Sequence, residues 1–118
     1  MRIILATADR DLRLAIELLM SDEPGLKVVG VASETEGLIA LVKSSSPDLV
    51  LLDLDLAGRP VDEVLSEMKS FKCGARFVAL GKYPGLKAYA VKSGADVYVT
   101  KGDPPETILA AVQEIQTQ

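Results

Sequence analysis

The chain has 118 residues, 48% of them hydrophobic and 25% charged, with a formal net charge of −4. That length and mix suit one globular domain spanning residues 1–118 rather than two domains or a disordered chain. The acidic balance argues against a nucleic-acid surface, which needs a basic face, and no apolar run approaches the ~20 residues that cross a bilayer.

Histidine is absent, which excludes Ser-His-Asp and Cys-His catalysis, histidine-ligated zinc and phosphohistidine chemistry. The single cysteine, Cys73, has no intramolecular partner for a disulfide, as expected in a reducing compartment. Met1 to Leu5 enter a strand-like run at once and Asp9 and Asp11 follow, a pattern unlike a signal peptide. A cytoplasmic location is expected.

Five short apolar runs alternate with amphipathic segments. The first run is Ile3 to Ala6. Asp9 is placed to cap a helix after it, whose apolar stripe is Leu12, Ala15, Ile16 and Leu19. The second run is Val28 to Val31, and Ser33 with Glu36 forms a capping-box pattern ahead of Leu38, Leu41 and Val42. The third run, Leu49 to Leu52, is continuously apolar, as a strand buried on both faces should be. A third helix is expected from Val61 to Phe71, with Val64, Leu65 and Met68 inward. After the run Phe77 to Leu80 comes a short helix from about Leu86 to Ser93, and Gly94 suits its left-handed cap. The fifth run is Val97 to Val99. The last helix begins at Asp103-Pro104-Pro105-Glu106, where Asp103 can cap, proline fits the first turn, and Ile108, Leu109, Val112 and Ile115 form the apolar face.

This β-α repeat predicts an α/β fold with a parallel sheet and helices on both sides. Ligands of such sheets bind beyond the carboxyl ends of the strands. The candidate site residues are therefore Thr7 and Ala8, Asp53 and Asp55, Gly81 and Lys82, and Thr100 and Lys101. A nucleotide or flavin role is disfavoured, because Ala6 to Arg10 holds no glycine-rich cradle and no Walker-type lysine motif occurs.

The segment Pro47-Asp48-Leu49-Val50-Leu51-Leu52-Asp53-Leu54-Asp55-Leu56-Ala57-Gly58 resembles the signature around the phospho-accepting aspartate of response-regulator receiver domains. Ser93-Gly94-Ala95-Asp96-Val97-Tyr98-Val99-Thr100-Lys101 resembles the family's segment ending in its lysine. Leu26 to Ser33 is similar to the second strand of the branch usually fused to helix-turn-helix output domains. The resemblance covers the whole chain in order. It implies a flavodoxin-like (βα)5 three-layer sandwich with a five-stranded parallel sheet in the order 2-1-3-4-5. It places Asp53 at the phospho-acceptor, Lys101 at the phosphate-binding position, Tyr98 at the aromatic switch, and Asp55 where a backbone carbonyl ligates magnesium.

Against that pattern, Thr7 and Ala8 stand in place of the two acids that end the first strand, and Gly81 replaces the switch hydroxyl. Aspartyl phosphorylation brings two anions together and needs a metal to neutralise them. Magnesium binds through carboxylates and retained waters. Asp53 and Asp55 are the remaining candidate ligands, so binding is expected to be weak or nil, and no other cofactor is implied. Asp9 is the nearest substitute, but as a helix cap it faces away.

The expectation is an atypical receiver, not an enzyme, in which Asp53 and Lys101 form a structural ion pair and Tyr98 is a packed or partly exposed surface aromatic. It would act through protein contacts, with a histidine kinase or output domain as the implied partner. A homodimer through the fourth helix, fifth strand and fifth helix is a further expectation, with Lys87, Lys92 and Lys101 among Asp96, Asp103 and Glu106. The alternative is a working receiver that accepts a phosphoryl group on Asp53 from a histidine kinase.

Overall fold

The computed structural model describes residues 1–71 and 73–118. Strand β1 (Arg2–Ala6) leads into helix α1 (Arg10–Ser21), then β2 (Lys27–Ala32), α2 (Thr35–Ser45), β3 (Leu49–Asp53) and α3 (Val61–Ser70). Strand β4 (Arg76–Gly81) is followed by a 3-10 turn (Pro84–Leu86), α4 (Lys87–Ser93), β5 (Val97–Thr100) and α5 (Pro105–Gln116). The five strands are parallel and lie in the order β2-β1-β3-β4-β5, the expected flavodoxin-like topology.

Period-two alternation along β1, β3, β4 and β5 divides the core into two layers. Ile3, Leu5, Leu49, Leu51, Val78, Leu80 and Val99 pack against Ile16 and Met20 of α1 and Ile108, Val112 and Ile115 of α5. Their neighbours Ile4, Ala6, Val50, Leu52 and Phe77 pack the other way, onto α2 and α3. Under the short α4 the packing residues shrink to Ala79, Ala90 and Ala95. Each large aliphatic side chain removed from water in these layers contributes about 1.5–3 kcal/mol.

Several local expectations are corrected. Glu34, not Ser33, caps α2: its carboxylate accepts from the amides of Glu36 at 2.9 Å and Gly37 at 2.6 Å. The longer side chain reaches two amides where serine reaches one. Asp103 does not cap α5; Pro104 occupies that place without a side-chain bond, and the Asp103 amide donates to the Thr100 carbonyl. Ala15 is exposed and Met20 is buried in its stead, because a stripe centred on Ile16 continues one turn on at residue 20. Asp9 does cap α1, accepting from the Leu12 amide, and Gly94 adopts φ 118° at the end of α4.

Candidate functional site

Strand parity decides which side chains meet at the carboxyl end of the sheet. Thr7 follows β1 in register with Ile3 and Leu5, and Asp53 ends β3 in register with Leu49 and Leu51, so both lie on the α1–α5 side. Lys101 leaves β5 on the same side as Val97 and Val99. Gly81 and Tyr98 have the opposite parity and lie toward α4. The candidate residues thus separate into two sites on opposite faces.

On the first face Asp53 is 2% exposed and three donors converge on its carboxylate. The Thr7 hydroxyl donates to Oδ2 at 2.6 Å. Lys101 Nζ lies 2.6 Å from Oδ1, and the Asp55 amide donates to that oxygen at 2.9 Å. Hydrogen bonds to a charged group contribute about 1.5–3 kcal/mol each, and a buried carboxylate without them is costly. The Thr7 oxygen in turn accepts from the Asp9 amide at 3.1 Å. Thr7 is thus a buried positioning partner of Asp53, whereas Ala8 is exposed and contributes nothing polar.

Lys101 also donates to Asp55 Oδ2 at 2.9 Å, and Lys82 Nζ lies 3.9 Å from the same oxygen. The Lys101 hydrogen bond holds the Asp55 carboxyl below its ordinary value, against a smaller opposing effect of burial, and the charges of Lys101 and Lys82 act in the same direction. For Lys101, burial pulls its pKa down, but its bonds to Asp53 and Asp55 and their charges outweigh this and raise it.

This donor set does not fit magnesium. Both Asp53 oxygens are engaged by protein donors, Asp55 is turned to the lysines, and Asp9 is committed to its helix cap. Among the described residues no group of three or more acidic, histidine or cysteine side chains is arranged to hold a metal. A cavity of about 280 Å³ opens beside Thr7 and Ala8, and Arg10 and Arg13 line it with Asp9.

On the second face, Tyr98 lies across Gly81. A Cβ at position 81 would stand 2.4 Å from the Tyr98 hydroxyl and 2.9 Å from Cε1. The hydroxyl donates to the Tyr83 carbonyl, tying β5 to the residue before the 3-10 turn. Tyr98 is half-buried.

The expected mixed-charge surface is smaller than the sequence suggests. Lys101 is turned inward to Asp53 and Asp55. Asp96 lies at the amino end of β5, where it accepts from the Phe77 amide and pairs with Arg76 at 3.5 Å. Lys87, Lys92, Asp103 and Glu106 are exposed. A clamp above the site was not foreseen: the Thr35 amide donates to the Ala57 carbonyl, and Arg59 donates its amide to Thr35 Oγ1 and its guanidinium to Glu67. Gly58, at φ 122°, passes so close that a Cβ would stand 2.1 Å from Thr35 Oγ1. That glycine was the available signal.

The sequence model of the response regulator receiver domain matches residues 3–113. The nitrate/nitrite response regulator protein NarL of Escherichia coli K12 is 35% identical over 105 residues, covering 87% of this chain and 49% of that protein. The chain spans about half the length of several curated relatives that it matches. A LuxR-family two-component response regulator from Aurantimonas sp. SI85-9A1 superposes with a TM-score of 0.87 at 27% identity, over 97% of this chain and 83% of that one. The receiver domain of the putative regulator NarL from Mycobacterium tuberculosis gives 0.89 at 22% identity over 99% and 97%, a likeness of fold.

Proposed function

The chain belongs to the response regulator receiver domain family of two-component signalling, and on that premise we propose that it is an atypical receiver that works without phosphoryl transfer. It is a binding domain rather than an enzyme. One observation carries the reading: both oxygens of the Asp53 carboxylate are held by protein donors, Thr7 on one side and Lys101 on the other, with no second carboxylate in the acid-pair positions. A carboxylate that attacks a phosphoryl group needs a metal cation to offset the meeting of two anions, and the cation beside Asp53 is instead the Lys101 ammonium, already paired with it.

The partners in this reading are proteins: a histidine kinase or output domain, as the family implies in general, and a second copy of the chain. The face from Lys82 to Lys92 supports self-association. It carries three lysines and no acid, with Tyr83, Tyr89 and Val91 at 66%, 45% and 50% exposure. Exposed Asp103 and Glu106 of the neighbouring α5 region supply opposite charge. No helix among the described residues is long and apolar enough to cross a membrane. With its lone free cysteine, the domain is assigned to the cytoplasm in this reading.

The competing reading, a phospho-receiver, is favoured by the intact Asp53–Lys101 contact. Incubation with a small phosphodonor and magnesium, followed by intact-mass measurement, separates the two. The expected result is an unmodified chain. A stoichiometric adduct of one phosphoryl unit that disappears in Asp53→Asn would overturn the proposal.

A further inference from the structure

Lys82 and Lys101 come from the ends of different strands, β4 and β5, yet converge on a single oxygen. Lys101 Nζ lies 2.9 Å and Lys82 Nζ 3.9 Å from Asp55 Oδ2. Asp55 is not there by chance rotation of an unconstrained loop. Its amide donates to Asp53 Oδ1 at 2.9 Å, the preceding Leu54 amide donates to the Leu80 carbonyl at 2.8 Å, and the following Leu56 amide donates to the Asp53 carbonyl at 3.1 Å. The backbone is therefore pinned on both sides of the residue and delivers its carboxylate to the lysines. Exposure rises outward: Asp53 is 3% exposed at its side chain, Lys101 15%, Asp55 49% and Lys82 61%. Asp55 thus stands between the buried pair and solvent.

The charges balance without any external ion. Asp53 and Asp55 carry two negative charges, and Lys82 and Lys101 two positive ones. Were Asp55 neutral or short, two ammonium groups would face one buried carboxylate, and the mouth would hold an uncompensated positive charge open to water. Two lysines around a vacated carboxylate position are an arrangement suited to a tetrahedral oxyanion, because ammonium donors are rotatable and do not demand planar geometry.

We propose that Lys82 and Lys101 form an oxyanion site that the chain fills from within with the Asp55 carboxylate. Free phosphate and similar ions are kept out because an intramolecular carboxylate, already positioned by the loop, competes at high effective concentration. For its consequence this inference rests on the phosphorylation-independent reading: the site supplies its own anion in place of an external one.

Titration of the full chain with inorganic phosphate, without metal or phosphodonor, tests it by calorimetry or by phosphorus NMR line width. Asp55→Ala is expected to bind phosphate about tenfold more tightly than the wild type, since an attractive pair is exposed and a like charge removed. Adding Lys82→Ala to that variant is expected to remove most of the gain. Asp55→Asn keeps the side chain's shape and secures the test should the alanine variant not fold; it is expected to gain affinity in the same direction. Equal affinities in the wild type and the Asp55 variants would overturn the proposal, as would a gain indifferent to Lys82→Ala. A flat titration leaves the phosphodonor experiment untouched, and a phosphorylated Asp53 leaves this one untouched, so the two failures are distinguishable.

Discussion

Replacing Lys101 with methionine isolates what the buried ion pair contributes. Methionine retains most of the apolar stem and removes the ammonium, so packing changes little. The variant loses the contact at 2.6 Å and leaves Asp53, 2% exposed, with the Thr7 hydroxyl and the Asp55 amide as its donors. Removing one partner of a buried pair costs about 3–5 kcal/mol, whereas an exposed pair contributes less than about 1. Two features put this pair at the low end of the buried range. The Lys101 side chain is 15% exposed, so water can enter where the ammonium was. The remaining donors also continue to hold the carboxylate. The expected loss is about 3 kcal/mol at pH 7, which lowers the urea midpoint by about 2 M at a slope near 1.5 kcal/mol/M. Urea unfolding followed by far-ultraviolet circular dichroism measures it, and the slope should not change. In the double variant Asp53→Asn, Lys101→Met, the loss should fall short of the sum of the single losses by about 2 kcal/mol, because the unpaired charge is gone. A loss below about 1 kcal/mol for Lys101→Met would show that the pair is solvated and that burial has been misjudged.

Two other outcomes follow from the same geometry. Gly81→Ala places a methyl group 2.4 Å from the Tyr98 hydroxyl; because the obstructing atoms are the far end of a side chain, the ring should swing out at a net stability change within about 1 kcal/mol. Tyrosine ring NMR should show Tyr98 leaving the Tyr83 carbonyl, and unchanged ring contacts would contradict the packing described. The pH dependence has a defined sign. Asp55, depressed below 3.8, contributes stability that is present above that pH and lost as pH falls through its folded value, so Asp55→Asn should flatten the acid limb of a melting-temperature profile below about pH 4. Lys101, raised above 10.5, contributes stability that is whole below pH 10.5 and lost as pH rises beyond it, and Lys101→Met should remove that alkaline component. An acid limb identical in the wild type and Asp55→Asn would count against the lysine contacts.

Much of the site was legible before any coordinates. Asp53, Lys101, Thr7 and Ala8 were picked out because strand ends of a parallel sheet gather in one place, and the family motifs gave them positions. Two readings went only part of the way. Thr7 was recognised as a missing acid, yet it is also a donor to Asp53. Asp55 was expected to matter through its carbonyl, yet its side chain is what meets Lys101 and Lys82. The capping residues of α2 and α5 were misplaced by one, since cap choice depends on which side chain reaches the free amides once the chain has turned.

The amino-acid sequence by itself determined the alternation of strands and helices, the layers they pack into and the absence of the acidic pair. These follow from periodicity and residue identity, which are local properties. The tertiary structure alone decided what each remaining polar group does. Thr7 meets Asp53, and Asp55 meets Lys101, across 46 residues of chain in both cases. No local pattern encodes such a meeting, because it depends on strand order, register and side-chain direction together. The same carboxylate could be a reactive acceptor or a satisfied ion pair, and the difference lies in which groups the fold gathers around Asp53.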